Sequence, residues 1–175
     1  MRRLPRLKSI EVNFTVPLLG GVKGTWEPNE EQRKAAWELY IELVTRISVT
    51  RLEAGQGILR EALDSLHSLF NTTRAVLRAH GPEVAKTRGS ADYSLGKIAV
   101  TILNYQLRPV LSEWHPRLLD YESRREPGVS VSEHERRWDS DQALRRKLDE
   151  TRGLLINFAN LLAKAAEVPP LHDQA

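Results

Sequence analysis

Toward the end of the chain, Leu148, Leu155 and Leu162 recur every seven residues, with Leu144, Thr151, Phe158 and Ala165 between them. That is the spacing of a helix seam. A helix cannot bury such a stripe against itself, so the chain must supply partner helices. It supplies three more stripes at helical spacing. Trp37, Tyr40, Ile41, Val44, Ile47 and Ser48 form one, widened by Leu39 and Leu43. Leu59, Ala62, Leu63, Leu66, Phe70, Thr73 and Leu77 form a second. Leu95, Ile98, Ala99, Ile102, Leu103 and Val110 form a third. Four stripes joined by short connections predict a mainly α protein, a four-helix up-and-down bundle.

Helix punctuation sets the expected bounds at about 30–54, 58–79, 91–122 and 133–168. Asn29 suits the cap of the first helix, with Gln32 at the third position of a capping box. Gly55-Gln56-Gly57 reads as a turn between the first two helices, and His80-Gly81-Pro82 as a stop. Ser90 or Asp92 is positioned to cap the third helix, and Ser132 with Glu135 to box the fourth. Pro109 predicts a kink near Tyr105 to Arg108, because a mid-helix proline clashes with the carbonyl four residues back. Pro116 predicts a second kink or a new helix start.

Before the helices, residues 9–16 alternate. Ile10, Val12, Phe14 and Val16 share one face; Glu11, Asn13 and Thr15 share the other. With Pro17 and Gly20-Gly21 behind it, this predicts a strand, extended over 9–26 into a hairpin packed on the bundle. The result is a single domain over 9–168, with an arm at 1–8 and a tail at 169–175.

The 175 residues contain no cysteine, which excludes disulfides and thiolate metal sites. No window resembles a membrane span or a secretory signal, so a cytoplasmic protein is expected. Net charge is only +3, and Arg2, Arg3, Arg6 and Lys8 concentrate positive charge in the arm. Such an arm can touch nucleic acid.

Chemical motifs are sparse. The glycines of GSADYSLGKI, residues 89–98, lack phosphate-loop spacing, and no strand precedes them. The histidines form no zinc-protease or di-iron pattern, and no serine-nucleophile elbow is present. No metal or cofactor is expected. Arg46, Arg51, Arg60 and Arg74 border apolar stripes, where structural ion pairs with Glu42, Glu53, Glu61 and Asp64 are the default and a basic groove the alternative.

The segment LNYQLRPVLSEWHPRLLDYE, residues 103–122, is more polar and more proline-rich than a core helix requires. Tyr105, Gln106, Arg108, Trp114 and His115 are placed to line a partner-binding groove where the kink opens the bundle. These features predict a non-enzymatic interaction or regulatory protein, with a protein partner, as an accessory subunit of a larger assembly.

Arg108 and His115 also stand about two helical turns apart, on one face. An arginine to hold phosphate and a histidine to move a proton suit RNA cleavage through the 2′-hydroxyl. The pair resembles the arginine-x(4–6)-histidine signature of the HEPN superfamily, helical domains that include many ribonucleases. Here a proline follows the arginine directly. The resemblance implies a metal-independent ribonuclease acting as a homodimer.

Overall fold

The computed structural model describes residues 8–46 and 56–171. The fold is mainly α with an N-terminal hairpin. Strands β1 (Ile10–Val16) and β2 (Gly20–Trp26) pair antiparallel, in register from Ile10↔Trp26 to Val16↔Gly20. The helices are α1 (Glu30–Val44), α2 (Leu59–Ala79), α3 (Leu95–Ile102), α4 (Arg108–Glu122), α5 (Val131–Arg136) and α6 (Asp141–Ala166). Among the described residues, no helix is long and apolar enough to cross a membrane.

Alternation in β1 turns Ile10, Val12 and Val16 inward, and β1 packs on α6. The end of β2 is tied down by a loop. Asp92 and Tyr93 donate their backbone N–H groups to the Thr25 carbonyl, each at 3.0 Å, and Asp92 Oδ2 accepts from Thr25 N at 2.8 Å. Gly24 is required there: a Cβ would lie 2.7 Å from Asp92 Oδ2 and from the Tyr93 ring.

In the bundle, α1 lies mainly on α6 and also on α2, and α2 packs on α4. The buried face of α1 is Gln32, Ala35, Ala36, Leu39, Tyr40 and Leu43. Trp37, expected inside, stays 41% exposed because this face is centred on the small alanines instead.

Asn29 caps α1 as expected, accepting from Gln32 N at 2.8 Å. The Gln32 side chain does not fold back to complete a capping box. It is fully buried and serves four partners. Its Oε1 accepts from Trp26 Nε1 and, at 3.1 Å, from Leu95 N. Its Nε2 donates to the carbonyls of Glu83 at 3.2 Å and Lys86 at 2.8 Å. Glu83 belongs to a 3-10 turn, Gly81–Ala85, that follows α2.

Several expected helix bounds change. The first helix ends at Val44, with Thr45 as its C-cap, rather than near residue 54. The third helix starts at Leu95, capped by Ser94 rather than Ser90 or Asp92. It reaches α4 through a π-helical turn, Leu103–Leu107, in which Arg108 N–H bonds the Leu103 carbonyl. This wider turn admits Pro109 without a break, since a longer hydrogen-bond step moves aside the carbonyl the ring would strike. Pro116 lies inside α4 and does not start a new helix.

The fourth expected helix is two. Ser130, not Ser132, caps the short α5 by accepting from Glu133 N at 3.2 Å. Glu135 is 1% exposed and turns into the core, so it caps another helix: its oxygens accept from Leu59 N at 2.9 Å and Arg60 N at 3.3 Å at the start of α2. The α2 cap residue, Ile58, has no side chain able to do this. The chain then turns through Trp138, which stacks on Tyr121 at 5.4 Å, before α6 begins.

His80, at the end of α2, clamps α1. Its Nδ1 lies 3.0 Å from Glu31 Oε2 and its Nε2 2.9 Å from Glu38 Oε1. Carboxylates only accept, so both ring nitrogens must carry protons. Burial pulls the His80 pKa down, but the hydrogen bonds it donates to Glu31 and Glu38 outweigh it and hold the pKa above its ordinary value.

Replacing Gln32 by leucine strands the Leu95 amide, the Trp26 indole and the Lys86 carbonyl, while the Glu83 carbonyl keeps Asn29 Nδ2. Urea denaturation is expected to show a loss of about 3 kcal/mol or more, since each buried orphan costs about 1–3 kcal/mol. Loss under about 1 kcal/mol, the net worth of a single ordinary hydrogen bond, contradicts the assignment. The His80 clamp predicts a pH dependence. Its folded pKa is raised, so its stabilisation is complete below the unfolded value of about 6.5 and is lost as pH rises through the folded value. Urea midpoints of the wild type should therefore fall toward those of His80→Gln on alkalinisation above about pH 6.5. Parallel profiles exclude the clamp.

Candidate functional site

Helices α2 and α4 form one open cleft, of about 430 Å³. From α2 come His67, Phe70 and Arg74; from α4 come Arg108, Leu111, Ser112 and His115. Both sets follow i, i+3, i+7 spacing, so each is one helix face. The apolar stripes meet just beneath, and Phe70 at 7% exposure forms the floor.

Two guanidinium groups lie over that floor. The Arg108 Cζ is 5.2 Å from the Phe70 ring centre and the Arg74 Cζ 5.9 Å. Each has a neutral hydrogen-bond partner one turn earlier in the chain, within α2 for Arg74 and in the π-helical turn before α4 for Arg108. Arg108 donates to Asn104 Oδ1 from Nε at 3.3 Å and Nη2 at 3.2 Å. Arg74 donates from Nη1 to Asn71 Oδ1 at 3.1 Å. Neither makes an ion pair among the described residues. Asparagine orients a guanidinium without cancelling its charge.

Deeper in the cleft, His115 Nδ1 lies 2.9 Å from Arg60 Nη1. Arginine can only donate, so Nδ1 accepts and the ring proton sits on Nε2. Burial first, and the Arg60 charge second, push the His115 pKa below its ordinary value. His115 is therefore a neutral imidazole at pH 7, and its buried Nε2 has only a weak contact with the Leu63 backbone, which opposes the shift without outweighing it. Arg60 is itself held by a fork onto Glu122, with Nε–Oε1 at 3.1 Å and Nη2–Oε2 at 2.6 Å. His67 sits beside His115, edge to face, with ring centres 5.8 Å apart.

The structure thus sorts the residues singled out in the sequence. Arg108 and His115 share the cleft wall. Tyr105 is 39% exposed but lies outside the cleft lining. Gln106 is 3% exposed and donates to Thr151 Oγ1 at 3.2 Å. Trp114 is 5% exposed, edge to face with Trp138 and covered by Arg117 at 4.3 Å. The single groove expected from Tyr105, Gln106, Arg108, Trp114 and His115 is corrected on this point: helical periodicity turns Gln106 and Trp114 into the core. Lys8 is exposed, beside Glu27, Arg33 and Arg88. Arg2, Arg3 and Arg6 lie outside the described residues, as do Arg51 and Glu53.

Of the bordering arginines, Arg46 pairs with Glu42 at 3.0 Å as expected. Arg60 takes Glu122 as its close partner, with Asp64 at 3.9 Å. Arg74 departs from the default by having no carboxylate partner among the described residues. Sequence reasoning missed His67 and Ser112 at the site. Their only signal was helical spacing to Arg74 and Arg108, and nothing local shows that these two faces meet.

No protein-family model, curated protein or solved structure matches the chain.

Arg60→Met should raise the His115 pKa toward the ordinary histidine value without fully restoring it, because burial remains. An NMR titration of the imidazole reads this directly. An unchanged pKa removes Arg60 from the electrostatics of the site.

Proposed function

We propose that the protein is a non-catalytic interaction protein that holds an anionic partner in the α2–α4 cleft, in the cytoplasm. The observation that carries this reading is the pair Arg74 and Arg108, brought together over Phe70 with no carboxylate on either among the described residues. Arginines held by aromatic faces are pre-organised, so less side-chain entropy is lost when they bind. Their charge is also weakly hydrated and strong at short range. A regulatory or accessory subunit could dock through such a cleft.

A second reading, a metal-independent ribonuclease like those of the HEPN superfamily, is favoured by one observation. Arg108 and His115 line the same wall, with a second imidazole, His67, alongside. The present state of His115 weighs against it. Its Nδ1 is occupied by Arg60 and its Nε2 is protonated, so neither nitrogen is free to take a proton.

Retention on heparin, a generic polyanion, tests the leading reading. The double variant Arg74→Gln/Arg108→Gln should elute at distinctly lower salt than the wild type, while Arg124→Gln, beyond the end of α4, should elute close to it. Equal elution of the double variant and wild type sinks the cleft as an anion site. Incubation with a mixed RNA pool tests the second reading. Cleavage lost in His115→Ala establishes a catalytic site; intact RNA supports the non-catalytic one.

A further inference from the structure

We infer that the anion held in the α2–α4 cleft is a phosphate of single-stranded nucleic acid, with a neighbouring base stacked on His67. This rests on the reading of the cleft as an anion site. The donors decide between anions. A carboxylate presents two coplanar oxygens and is satisfied by one guanidinium fork. This cleft offers two guanidinium groups, from facing helices, and Ser112 also lines it. After their bonds to Asn71 and Asn104, each arginine keeps unused N–H donors. Donors that converge from both walls match a tetrahedral phosphate, whose oxygens point in several directions.

The neighbouring groups favour nucleic acid over a phosphorylated peptide. His67 is exposed and offers a π-face at the cleft edge, propped by His115 behind it. Unpaired bases stack on histidine rings and on arginine planes, and both surfaces are present here. A volume of about 430 Å³ also suits a nucleotide-sized group better than a lone ion. In duplex nucleic acid the bases are paired and stacked, so the ligand is single-stranded.

Fluorescence anisotropy with a labelled single-stranded RNA oligonucleotide tests this, beside a phosphoserine peptide and a polyglutamate peptide of equal charge. Wild type should bind the RNA more tightly than either peptide. Arg74→Gln and Arg108→Gln should each weaken RNA binding by about tenfold, the scale of one charge-assisted contact. His67→Ala should weaken RNA binding but not binding of inorganic phosphate, measured by competition. Circular dichroism confirms that each variant is folded. Tighter binding of the phosphopeptide overturns the nucleic-acid assignment. Equal binding of polyglutamate and RNA overturns the phosphate assignment and leaves the anionic-partner reading standing. No binding of any of the three overturns both.

Discussion

The amide of Gln32 joins more of this fold than any apolar contact does. It is fully buried in α1, and its four hydrogen bonds run to β2, the 3-10 turn, the loop after it and the start of α3. The amide has two donor hydrogens and two acceptor lone pairs, and all are used. Its orientation is therefore unique: rotated by half a turn, its NH₂ would face the Trp26 and Leu95 donors. Hydrophobic burial is non-directional and would tolerate the hairpin in several positions. A saturated buried amide tolerates one. Asn29 reinforces it, donating to the same Glu83 carbonyl at 2.9 Å.

A second buried polar chain sets the functional end of the molecule. Glu135 caps α2 through Leu59 and Arg60, and the Arg60 side chain runs from Glu122 to His115. Burial raises the Glu135 pKa, and the two backbone N–H groups work against that shift. The same helix start thus receives a carboxylate cap, holds an ion pair to α4 and presents a guanidinium to an imidazole. At the cleft it adds to burial in keeping His115 neutral. Farther out, Arg74 and Arg108 have no carboxylate partner among the described residues. The cleft therefore carries a neutral imidazole at its inner end and positive charge at its outer end.

Much of the fold was legible because it is periodic. Alternation located the hairpin, and the 3.6-residue stripe located α2 almost to its ends. Misreadings fall where a polar residue had two possible uses. Glu135 has the spacing of a capping box with Ser132, yet it serves a helix distant in sequence. Gln32 reads as a box partner of Asn29, yet its side chain is spent elsewhere. In both cases local hydrogen bonding competed with a tertiary partner, and burial favoured the partner that left no group unsatisfied. Pro109 was rightly marked as an irregularity; its resolution as a π turn depended on how α3 and α4 had to continue across the bundle.

The sequence by itself determined the helical stripes, the strand alternation, the Asn29 cap and the placement of Arg108 and His115 on one face. These are properties of chain periodicity and of side chains close to one another along the backbone. Only the tertiary structure decided that Arg60 rather than Arg108 touches His115, that Arg74 bonds Asn71 rather than a described carboxylate, and that His67 joins the cleft. Those outcomes depend on the rotation of α2 against α4. That rotation is set by packing of the apolar faces and by the cap that Glu135 supplies, through contacts between residues far apart in the chain.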